Sequence, residues 1–115
     1  MSKKGRHSLP IEVMKANGFS YNVIQSDYKS ENHGETCKDN KQIMVSPQDN
    51  IEVLIDTIVH EGNHALVEDI FESIDSIEKV DEKEEQWNRL FTPRLVAWIC
   101  ENKEWIKWIW KKKKS

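Results

Sequence analysis

The sequence predicts an α+β fold: a small antiparallel sheet of three to four strands, packed on a central helix and a second, C-terminal helix. Three observations lead there. Short runs of alternating apolar and polar residues occupy the first 45 positions, as half-buried strands require. A long segment that is apolar over most of its circumference then follows a helix-start signal at Ser46-Pro47. Beyond it, tryptophans and leucines recur at helical spacing up to a run of four lysines.

Taken in order, residues 1–10 form a loose arm ending at Pro10, residues 11–110 a single domain, and residues 111–115 a basic tail. Ile11–Met14 and Phe19–Ile24 alternate as strands, and Asn17-Gly18 between them is a strong hairpin-turn dipeptide. Ser26–Asn32 is polar loop. Gly34–Lys38 and Gln42–Val45 can form a second hairpin around Asp39-Asn40-Lys41. Ser46 as N-cap, Pro47 at the first helical position and Asp49 three residues after the cap start a helix expected to run to about Phe71. Gly62 inside it costs about 1 kcal/mol relative to alanine, which marks either a close approach by a strand or a substrate backbone or a tolerated drift. Ser73–Glu84 is an acidic linker or frayed turn. A second helix begins near Glu84, with Trp87, Leu90, Phe91, Leu95, Trp98, Ile99, Trp105 and Ile109 on one broad face. Pro93 should kink or restart it. Trp87 and Trp98 read as core.

Composition narrows the function. A chain of 115 residues holds one modest core. A net charge of −3 argues against a generic nucleic-acid binder. No apolar run approaches the ~20 residues that span a bilayer. The basic N-terminus has no apolar stretch behind it and so no secretory signal. Cys37 and Cys100 lack C-x-x-C spacing and read as thiols in a reducing compartment, with a zinc ligand or a disulfide as the minority case.

His60-Glu61-Gly62-Asn63-His64 reads H-E-x-x-H and specifies a chemistry. Residues four apart stand one above the other on a helix, so His60 and His64 can present two imidazoles to one metal ion. Glu61 lies about 100° round the same helix, where it can reach a water at the metal and take its proton. That is the zinc-hydrolase arrangement. Two histidines hold zinc poorly, and the extended form with a third histidine is absent, because Val67 and Ile70 fill its glycine and histidine positions. Candidates for a third ligand are His7, His33, Cys37, Cys100 and the downstream acids. Helical phase puts Glu84 nearer the middle of the second helix's apolar face and Glu85 toward one edge.

Ile43-Met-Val-Ser46 leading into Asp56–Leu66, followed by Glu84–Leu95 with its Thr92-Pro93-Arg94-Leu95 segment and a continuation to Asn102, resembles the small phage- and prophage-encoded zinc metallopeptidases, minimal gluzincin-like domains. The resemblance spans about residues 34–110. It implies a zincin-like fold, a peptide or protein substrate, and the cytoplasm of a bacterium or its phage-infected host. It also implies that the third zinc ligand is a glutamate on the second helix, by that match Glu85, with Glu84 the alternative. No residue for oxyanion stabilisation stands out beyond His33 and Tyr28. A different class of function fits the same residues: a non-enzymatic, zinc-stabilised scaffold that binds a partner through its Trp/Lys-rich end. There, Trp105 and Ile109 can finish the core while a disordered Lys111–Lys114 solvates the terminus. Alternatively, the segment is an attachment patch for an anionic surface, a membrane interface or a nucleic-acid backbone.

Overall fold

The computed structural model describes residues 7–26 and 33–114 and has the α+β composition that the pattern predicts. Among the described residues there are four strands, β1 (Val13–Ala16), β2 (Phe19–Gln25), β3 (Gly34–Cys37) and β4 (Gln42–Val45). Four helices follow: α1 (Ile51–Leu66), α2 (Ile70–Ile74), α3 (Val80–Glu101) and α4 (Lys103–Lys114). None of them is long and apolar enough to cross a membrane.

Both expected hairpins form. Asn17 and Gly18 take positive φ values of 54° and 84°, the mirror-image turn whose twist matches that of the flanking strands. The sheet, however, is mixed and not antiparallel. Its order is β1-β2-β4-β3, and β2 runs parallel to β4 with Val23 beside Ile43. The chain passes from the end of β2 to the sheet edge at β3, and the second hairpin then inserts β4 next to β2. Alternation identifies a strand but does not name its neighbour.

One face of the sheet carries Met14, Ala16, Tyr21, Val23, Ile43 and Val45 into the core, against Leu54, Ile58 and Ala65 of α1. α1 starts later than Ser46-Pro47 suggested. Asn50 is its cap, with Oδ1 accepting from the amides of Glu52 at 2.9 Å and Val53 at 3.4 Å. Ser46 directly follows β4, and its amide donates to the carbonyl of His33, the residue just before β3. α1 also ends earlier than Phe71. Asp69 turns into the left-handed region at φ 69°, and the short α2 restarts the chain. Arg94, in the Thr-Pro-Arg-Leu segment, donates to the carbonyls of Leu66 at 2.8 Å and Glu68 at 2.6 Å. It thus satisfies acceptors that the end of α1 leaves open and clamps α3 across it.

α3 begins at Val80, earlier than Glu84, and passes through Pro93 as one helix. The break falls instead at Asn102, whose buried side chain accepts from the Lys15 amide (2.8 Å) and donates to the Lys15 and Trp98 carbonyls (2.6 and 2.8 Å). Trp105 Nε1 donates to the Val13 carbonyl at 2.8 Å. The outward-facing backbone of β1 is therefore occupied by side chains where a further strand would sit. Trp98 and Trp105 are buried, as is Trp108. Trp87 instead lies half-buried between Phe71 and Phe91. Ile109 is partly buried against the core. Lys111–Lys114, expected to be disordered, continue α4, and Lys113 reaches Glu52 at 3.1 Å.

Candidate metal centre

The buried face of α1 includes Leu54, Ile58, Glu61, Gly62 and Ala65, spaced three and four apart. Glu61 therefore points toward the sheet and is 3% exposed. His60 and His64 sit on the adjoining flank and are exposed. Two glycines let the sheet come this close. A Cβ on Gly62 would lie 2.9 Å from Met14 Sδ of β1, which is the close approach foreseen at that position. A Cβ on Gly34 would lie 2.8 Å from Thr57 Cγ2 and 3.2 Å from Glu61 Cγ, so β3 can lean on α1 only without one.

That contact delivers Thr36 to Glu61. The Thr36 hydroxyl lies 2.6 Å from Glu61 Oε1 and 2.9 Å from the Glu61 carbonyl oxygen. Neither Gly34 nor Thr36 was apparent from the motif. The available signal was weak, a glycine opening a short strand.

His60 Nε2 and His64 Nε2 converge to 3.1 Å with their rings near perpendicular at 86°. Two nitrogens bound at about 2.0–2.1 Å to one tetrahedral ion stand roughly 3.3–3.4 Å apart, so the pair is within a few tenths of an ångström of shared ligation. A Glu61 carboxylate oxygen joins the two imidazoles in a group whose ligand atoms all lie within 4.8 Å of one another, the one such group among the described residues. The donor set, two imidazoles and a carboxylate, is one that zinc and other first-row divalent metals accept.

The other candidate ligands are dispersed. Glu85 is exposed on α3, 3.4 Å from Arg89 Nε, and is not in the histidine group; Glu84 is exposed on the same helix. His7 contacts the Asp49 carbonyl at 3.1 Å. Cys37 lies on β3 and Cys100 on the exposed side of α3, both as free thiols. His33, at φ 63° and with Nδ1 3.2 Å from Gln48 Nε2, lines a depression of about 390 Å³ with Val53, Asp56, Thr57 and His60. Tyr28 lies outside the described residues.

β3 is an edge strand. The bond from the Ser46 amide to the His33 carbonyl fixes the phase of the β3–β4 ladder, so Glu35 pairs with Met44 while the backbone N–H and C=O of Gly34 and Thr36 point away from β4. The sheet thus has one edge covered by α3 and α4, and another that runs beside Glu61.

No protein family, curated protein or solved structure matches the chain.

Proposed function

We propose that this chain is a zinc-dependent hydrolase acting on peptide bonds, with His60 and His64 as metal ligands and Glu61 as general base. The observation that carries the reading is the convergence of the two Nε2 atoms at 3.1 Å beside a buried, hydrogen-bonded carboxylate. A zinc ion bound there supplies Lewis acidity toward a carbonyl group and toward water. Glu61 takes a proton from the attacking water and returns it to the leaving amine. Thr36 suits both states of that carboxyl. Toward ionised Glu61 its hydroxyl donates to Oε1. Once Oε1 carries the proton, it can donate to Thr36 Oγ1 while the hydroxyl proton turns to the Glu61 carbonyl. The outward N–H and C=O groups of Gly34 and Thr36 favour an extended peptide as substrate, paired along β3 with its scissile bond near Glu61.

Glu85 is retained as the proposed third ligand on the strength of the resemblance alone; it pairs with Arg89 on the exposed side of α3 and is not in the His60–Glu61–His64 group. The proposed setting is the cytoplasm of a bacterial or phage-infected cell, in keeping with two free cysteines. One observation favours a second reading, a zinc-stapled scaffold without activity: the Glu61 carboxylate is near enough to both histidines to be a ligand itself.

Elemental analysis of protein purified without chelator tests the metal. About one zinc per chain is expected, with a fall in Tm on chelation because the ion binds the folded form alone. A stoichiometry near zero after reconstitution with zinc would remove both readings. Cleavage of a peptide library by the zinc-loaded protein separates the hydrolase from the scaffold.

A further inference from the structure

We infer that α4 is an attachment helix that seats the protein on an anionic lipid surface. Charge is strongly segregated. α4 holds six lysines and one glutamate, +5, in a chain whose total is −3; the remaining residues, with eleven Lys and Arg against nineteen Asp and Glu, sum to −8. A surface that attracts α4 therefore repels the rest, which sets an orientation as well as an affinity.

The lysines are arranged on one side. Lys103, Lys107, Trp110, Lys111 and Lys114 follow one another at intervals of three and four residues or stand adjacent, so they share a face, and all are exposed. The opposite face is committed to the fold, with Trp105 and Trp108 at 1% and 8% exposure. Lys113 leaves the stripe and bonds Glu52 of α1, so the far end of the helix is tied to the domain. The attachment face is accordingly preformed, and docking does not have to order a loose tail.

Trp110 gives the stripe its partner class. It is 66% exposed in the middle of the lysines, with Lys114 Nζ 5.3 Å from its ring centroid. An indole among ammonium groups fits the headgroup level of a bilayer, where the ring sits at the apolar boundary and the cations meet lipid phosphates. A nucleic-acid face would be expected to offer arginine, asparagine or glutamine to fork phosphates or read base edges. This stripe has none. Lysine, a hydrated point charge, suits a diffuse anionic field. Since no described helix is long and apolar enough to cross a membrane, the contact is peripheral.

Co-sedimentation with vesicles is the test. The full chain should bind phosphatidylcholine vesicles containing about 30 mol% phosphatidylglycerol at about 0.05 M salt, and lose at least roughly tenfold in affinity at about 0.5 M. The triple variant K107Q/K111Q/K114Q should lose a similar factor, and Trp110→Ala should weaken binding several-fold. Both should keep the wild-type circular dichroism and Tm, because the replaced side chains are exposed. Absence of binding at low salt would overturn the proposal. So would equal binding to pure phosphatidylcholine, binding that survives the triple substitution in a folded protein, or tighter association with DNA or RNA than with the anionic vesicles at the same salt.

Discussion

Replacing Glu61 with glutamine separates a base from a ligand at nearly constant shape. The wild-type carboxylate accepts the Thr36 hydroxyl at 2.6 Å and is almost wholly buried. The glutamine amide oxygen can accept the same bond. What is lost is the charge assistance, about 1 kcal/mol from the difference between charged and neutral hydrogen bonds. Against that stands the relief of burying a neutral amide in place of an ion. Stability should therefore change by no more than about 1 kcal/mol, or roughly 4 °C in Tm for a domain of this size. If Glu61 is the base, zinc content by elemental analysis and zinc affinity by chelator competition stay close to wild type. Cleavage of any peptide substrate should then fall by about 10²- to 10⁴-fold. Two results would refute the reasoning. Loss of zinc from a folded Glu61→Gln protein would make Glu61 a ligand, and persistence of cleavage would make the mechanism wrong.

Three further outcomes are expected. Glu85→Ala should lower zinc affinity steeply and Glu84→Ala should not; equal small effects in a competition titration would return the third ligand to the residues nearer His60, beginning with His33. Asn102→Ala removes three side-chain hydrogen bonds, two of them to the β1 backbone, and should cost about 2–4 kcal/mol in denaturant unfolding. It should also promote concentration-dependent association by gel filtration, and an unchanged midpoint would contradict its assigned role. Burial, and secondarily the charge of Glu68, hold the Tyr21 hydroxyl above its ordinary pKa of 10.0. The folded state thus keeps that proton longer than the unfolded chain. The stability it contributes is complete below pH 10 and is lost as pH rises through the raised folded value. Tyr21→Phe should flatten this alkaline loss in thermal melts. At neutral pH it should cost little, because among the described residues the hydroxyl has no hydrogen-bond partner.

What could be foreseen from the residues was local. Asn17-Gly18 encodes its own turn geometry, and His60 and His64 need nothing beyond helical spacing to meet. The helix start was misplaced because Ser46 and Asn50 are both good caps, and the bond to His33 that occupies Ser46 is a tertiary fact. The parallel β2–β4 pair, the Arg94 clamp on α1 and the Thr36–Glu61 bond each join residues more than ten apart in sequence, and no periodicity announces them. Pro93 does not restart the helix. Its penalty is paid inside one helix, whereas Asn102 breaks the chain through bonds to a strand 87 residues away.

The unequal treatment of the two sheet edges has a dynamic signature. Lys15 and Thr36 both lie in strands at the rim of the sheet, with their amides facing outward. The Lys15 amide is held by a buried asparagine side chain that anchors the junction of two helices, so hydrogen exchange there requires α3 and α4 to detach, an opening close to global unfolding. Thr36 is secured through its side chain, and its backbone amide can exchange without any such event. Slow exchange at Lys15 and fast exchange at Thr36 would mark one rim as part of the cooperative core and the other as a surface kept available while the protein stays folded.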